Sequence, residues 1–148
     1  MGKIVGVDCG KKRSGLAVSD PLNIFASPLL TLPSLEVVDH ILKMIDNEGV
    51  VKVVVGYPKN LDNSDSEGVQ YAELFLKRLR KRAPNIEIIL EDERFTSKIA
   101  FQSMIDGGVK KMKRRDKGAV DKISAAIILQ GYLDRVSYKR EREEKKEQ

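Results

Sequence analysis

The chain has 148 residues, with 27 Lys and Arg against 22 Asp and Glu, giving a formal charge of +5 and a sequence pI of 9.3. That length suits one domain with a real core, and 41% apolar with 33% charged residues exclude a disordered chain. The longest apolar run, Ala125 to Leu129, is far short of the ~18 to 20 residues of a membrane helix. Asp8 and Lys11-Lys12-Arg13 interrupt any secretory signal, and Cys9, the single cysteine, can form neither an internal disulfide nor a cysteine zinc cluster. A cytoplasmic protein with no membrane partner is expected.

Lys3 to Asp8 reads as a strand of β-branched residues ended at Gly10, and Ser14 to Ser19 as a second strand joined to it in a hairpin. Ile24 to Leu32 is a third strand, and Pro28 within it demands a sheet edge or a bulge. Ser34 then stands where a helix cap is expected. Val37, Val38, Ile41, Leu42 and Ile45 share one helical face, and Gly49 closes that helix. Lys52 to Val55 has the character of a buried central strand.

The polar stretch 59 to 67 reads as a loop, followed by a helix from about Gly68 to Arg82, a strand from Ile86 to Glu91, and a helix from Thr96 or Ser97 to Ile105. Lys110 to Lys117 holds six cations and one anion. The last helix runs from about Ala119 to Tyr138, and residues 139 to 148 form a solvated, fraying helical tail. A hairpin followed by βαβ crossovers implies an α/β fold: a mixed sheet with helices on both faces, in one domain spanning residues 1 to 138.

Three acidic positions stand out by placement. Asp8 closes the first strand on the face of Ile4 and Gly6, Asp92 and Glu93 follow the strand ending in Leu90, and Asp121 lies on the apolar stripe of Ala125, Ile128 and Tyr132. Each has a plainer reading: Asp8 as a turn residue, Asp121 as a complement to the helix dipole, Asp92 or Glu93 as a surface partner of Arg94. Together they form a set of hard oxygen donors suited to Mg²⁺ or Mn²⁺. His40, the single histidine, sits beside the apolar face of a helix, so a histidine base is not expected. Carboxylate-held metals can drive phosphodiester hydrolysis without one.

The positive charge is concentrated. Residues 77 to 82 hold +5 and residues 110 to 117 hold +5, which leaves −5 for the rest. Lys77 to Arg82 reads as dipole complementation and solvation at a helix end. Lys110, Lys111, Lys113, Arg114, Arg115 and Lys117 lead into the helix of Asp121 and form the better candidate for a grip on a phosphate backbone.

Gly6-Val7-Asp8-Cys9-Gly10 with Arg13 to Asp20, then Val55-Gly56-Tyr57-Pro58, Asp92-Glu93-Arg94-Phe95-Thr96, and Asp121 with Ser124-Ala125-Ala126 and Ile128-Leu129 occur in that order. This set resembles the YqgF family of RNase H-like proteins, relatives of Holliday-junction resolvases that are also described as pre-16S rRNA nucleases. The resemblance implies a five-stranded mixed sheet and a catalytic metal site of Asp8, Asp121 and an acid at the end of the penultimate motif. Strand parity leaves Asp92 and Glu93 both open there, and similarity favours Glu93. The resemblance also implies that Arg94, Thr96 and Lys117 orient the site or contact phosphate. Lys11, which stands where the family commonly has Thr, and Arg13 are expected as further nucleic-acid contacts. The expected function is metal-dependent hydrolysis of structured RNA or branched DNA by a monomer or homodimer. The leading substrate is the 16S rRNA precursor, the alternative a Holliday junction, and a non-catalytic RNA-binding assembly factor is the third reading.

Overall fold

The computed structural model describes residues 2–57, 67–92 and 117–147. Loop 59 to 67 and helix 96 to 105 therefore lie wholly or largely outside the described residues, as do Glu93, Arg94, Thr96 and the basic positions Lys110 to Arg115.

Five strands form one mixed sheet: β1 (Lys3–Asp8), β2 (Arg13–Ser19), β3 (Ala26–Pro33), β4 (Val50–Tyr57) and β5 (Glu87–Asp92), in the order β3-β2-β1-β4-β5. β1 pairs antiparallel with β2 and parallel with β4, while β4 pairs parallel with β5. The expected hairpin and crossovers are present. Pro28 lies on edge strand β3, and the β2–β3 register slips between Leu16 and Ala17, so both of the accommodations that proline requires occur.

α1 (Val37–Glu48) and α2 (Glu67–Arg82) cover one face, where Val5, Val7, Val53 and Val55 pack with Val37, Ile41, Leu76 and Leu79. α3 (Lys117–Glu147) covers the other, where Ile4, Ala17 and Val54 pack with Ala125, Ile128, Leu129 and Tyr132. Val53, Val54 and Val55 have no exposed surface, as befits a strand covered on both sides. Each such side chain removed from water stabilises the fold by about 1.5–3 kcal/mol. A Cβ on Gly6 would stand 2.7 Å from the Leu129 Cβ, so glycine there lets α3 lie against β1.

Two expectations need correction. Ser34 opens a single 3-10 turn over Ser34–Glu36, and neither that turn nor α1 has a side-chain cap. The Ser34 hydroxyl donates instead to the Gly10 carbonyl at 2.7 Å, across 24 residues of sequence. The last helix starts at Lys117 and continues unbroken to Glu147, so the charged tail is its extension.

Candidate active site

β1 delivers Asp8 to the sheet end at which β2 begins. Strand alternation places Val5 and Val7 in the core under α1 and α2, and Ile4 and Gly6 against α3. Asp8 continues the second series and faces α3. Its cross-strand partner is Gly15, and a Cβ on Gly15 would stand 2.0 Å from the backbone carbonyl oxygen of Asp121. Only a residue without a side chain lets the first turns of α3 rest there. The contact brings Asp8 and Asp121, far apart in sequence, to adjacent positions on one face.

Arg13 joins them. Its Nε lies 3.6 Å from Asp121 Oδ2, with the two side chains 46% and 28% exposed. An ion pair this open contributes little to stability, so it gives no reason of its own for the acid to sit there. It does put a guanidinium beside the Asp121 carboxylate, where it can meet a phosphate oxygen.

Asp92 is placed differently. It is the last residue of β5 and pairs with Tyr57, which packs in the core under α1 and α2. Ile88 belongs to that same core, whereas Ile89 packs against α3. Asp92 thus falls on the sheet face opposite Asp8. Among the described residues, no three His, Cys, Asp or Glu side chains come together as a metal cluster.

The turn between β1 and β2 carries Lys11, which is exposed, and is held from below. The Gly10 N–H donates to Ser14 Oγ at 3.3 Å, Ser14 and Ser34 hydroxyls lie 2.9 Å apart, and Ser34 donates to the Gly10 carbonyl. Since Ser34 has spent its one proton, Ser14 donates to it, and the ring closes with both hydroxyl protons used. Ser34 was expected only as a helix cap, and Ser14 only as a strand residue.

Glu91 is a further acid that sequence reasoning passed over. Its side chain is 10% exposed and pairs with Arg135 of α3. That pair fastens β5 to α3 at a distance of 44 residues in sequence, and the only signal for it was an acid interrupting an apolar strand. Lys117 lies at the start of α3.

The sequence profile of RuvX, described as Holliday junction resolvase, matches residues 2–135. A Phocaeicola vulgatus protein named "Putative pre-16S rRNA nuclease" is 46% identical over 138 residues, covering 93% of this chain and 99% of its own length. One of the same name from Christiangramia forsetii is 47% identical over 133 residues, covering 90% and 98%. Among solved structures, Thermus thermophilus RuvC in complex with a Holliday junction substrate shares the fold at a TM-score of 0.58 and 15% identity, covering 93% of this chain and 97% of that one. The Fowlpox virus resolvase with Holliday junction DNA does so at 0.55 and 13%, covering 90% and 98%.

Proposed function

Because the chain belongs to the RuvX family, we propose that it is a metal-dependent nuclease that hydrolyses phosphodiester bonds of structured nucleic acid in the cytosol, with the 16S rRNA precursor as substrate. The observation that carries the reading is the meeting of Asp8 and Asp121 over Gly15 at one end of the sheet. The choice of RNA rests on relatives 46–47% identical over nearly their whole length, whereas the DNA resolvases share the fold alone.

The donor set suits a hard divalent cation. Asp8 and Asp121 offer carboxylate oxygens at half-buried positions, with no histidine or cysteine among the named site residues. Asp8, Asp121 and Glu93 would hold Mg²⁺ or Mn²⁺. Glu93 is preferred to Asp92 because Asp92 belongs to the opposite face. When bound, the ion supplies a Lewis acid that offsets charge developing on the phosphoryl oxygens. Arg13 binds and orients a non-bridging phosphate oxygen beside Asp121, and the serine ring holds the turn that carries Lys11. Arg94, Thr96 and Lys117, with Lys110, Lys111, Lys113, Arg114 and Arg115, supply further phosphate contacts in this reading.

The test offers purified protein, with Mg²⁺ and without it, a 16S rRNA precursor and a four-way DNA junction, using Asp8→Asn as control. Mg²⁺-dependent cleavage of the precursor that disappears in the variant is the expected result. Cleavage of the junction alone selects the resolvase reading, in which a dimer cuts two strands symmetrically. Binding without cleavage selects the assembly factor.

A further inference from the structure

The basic end of α2 has a role that helix-dipole complementation does not describe. Arg82 is engaged with Asp39 at 2.8 Å, and Lys77 and Arg80 line a groove on the outer side of α2 with Glu73. Arg78 is directed elsewhere. It shares a cleft with Lys11, walled by Gly10, Ser34, Tyr71 and Phe75, on the α2 side of the β1–β2 turn. Two cations and no carboxylate line this cleft among the described residues. Its volume, about 70 Å³, is far below the ~300–1,000 Å³ of a small-molecule pocket.

A larger groove of about 420 Å³, at the opposite end of the sheet, sharpens the contrast. Its cations Lys52 and Arg140 are balanced by Glu87 and Asp134, so its charge favours no anion. The α2 cleft instead has unbalanced positive charge and room for one small anionic group. Its floor is preset: Ser34 donates to the Gly10 carbonyl, Ser14 accepts the Gly10 N–H and donates to Ser34, and both hydroxyl protons are thus used, which leaves binding to the neighbouring cations.

We propose that Lys11 and Arg78 form a seat for a single backbone phosphate of the nucleic acid, across the β1–β2 turn from Asp8 and Asp121. A bound strand then passes over the end of the sheet from the α3 face to α2, gripped on both sides of the turn. The inference rests on the nuclease reading above and adds to it where the substrate goes beyond the cut.

The test is a salt titration of binding to a fluorescent stem–loop RNA with a 5′ single-stranded extension, in EDTA so that nothing is cleaved. Lys11→Gln and Arg78→Gln should each reduce the slope of log K against log salt by about 0.7–0.9, the loss of one phosphate contact. The double variant should lose no more than either single change, and Arg78→Lys should keep the wild-type slope. Arg140→Gln removes the same charge at the far end of the sheet and should leave the slope unaltered. An unchanged slope in Arg78→Gln, or a doubled loss in the double variant, overturns the shared seat while leaving the nuclease reading intact. A wild type that binds neither this RNA nor a four-way junction overturns both.

Discussion

Two acid–arginine pairs join α3 to the sheet, and they differ in kind. Glu91 is 10% exposed and is held by Arg135, so its carboxylate exchanges water for a guanidinium and is committed to the fold. Asp121 is 28% exposed, and its arginine stands at 3.6 Å, itself half in solvent. The first pair fastens a strand to a helix. The second leaves charge within reach of solvent beside Asp8, where a ligand can exploit it. Similar residue types on one sheet face thus serve architecture in one place and, in the proposed nuclease, chemistry in the other, and the degree of desolvation separates them.

The comparison breaks most sharply at Asp8. Asp8→Asn should lower Mg²⁺-dependent cleavage by on the order of 10²-fold or more, with the melting temperature and nucleic-acid affinity little altered. Equal activity in variant and wild type would remove the chemical half of the contrast. Next comes Gly15→Ala, which sets a methyl group against the Asp121 carbonyl. Overpacking against backbone should cost about 1–3 kcal/mol in urea unfolding and reduce cleavage as well, because Asp121 moves with its helix. A stable, active variant would show that α3 does not need this contact.

Glu91→Gln tests the architectural half. It should destabilise the fold by about 1 kcal/mol, the scale of a charge-assisted hydrogen bond with one solvent-exposed partner, without changing the rate of cleavage per folded molecule. Loss of rate at full stability would move Glu91 into the active site.

The smallest effect is expected at Asp20, a half-buried acid serving its own loop. The Phe25 N–H first, then those of Ile24 and Leu22, hold its carboxyl below the ordinary value of 3.8. A lowered folded value means that the stabilisation is complete above the unfolded value and is lost as pH falls through the folded one. The stability difference between wild type and Asp20→Asn should therefore be present at pH 7 and shrink as pH drops below about 4.

Much of this organisation was readable from local pattern. β1 runs from Lys3 to Asp8 as its β-branched residues and Gly10 predict, and Pro28 led to both an edge and a bulge. The misreadings share one cause. Ser34 resembles a helix cap because the residues after it are helical, but its hydroxyl serves Gly10, 24 residues away. Glu91 drew no notice because Arg135 lies in another element.

By itself the sequence determined the order of elements, the sheet with two covered faces, the clustering of positive charge and the candidate carboxylates, because periodicity, turn residues and charge are local properties. Only the tertiary structure decided which of those groups meet. Asp8 and Asp121 adjoin because Gly15 admits the helix backbone, and Asp92 departs from them because β5 continues to that residue. Arg78 comes to share a cleft with Lys11 because α2 packs beside the turn. A residue's face depends on where its strand ends, and its neighbours depend on packing between distant segments, so neither follows from spacing along the chain.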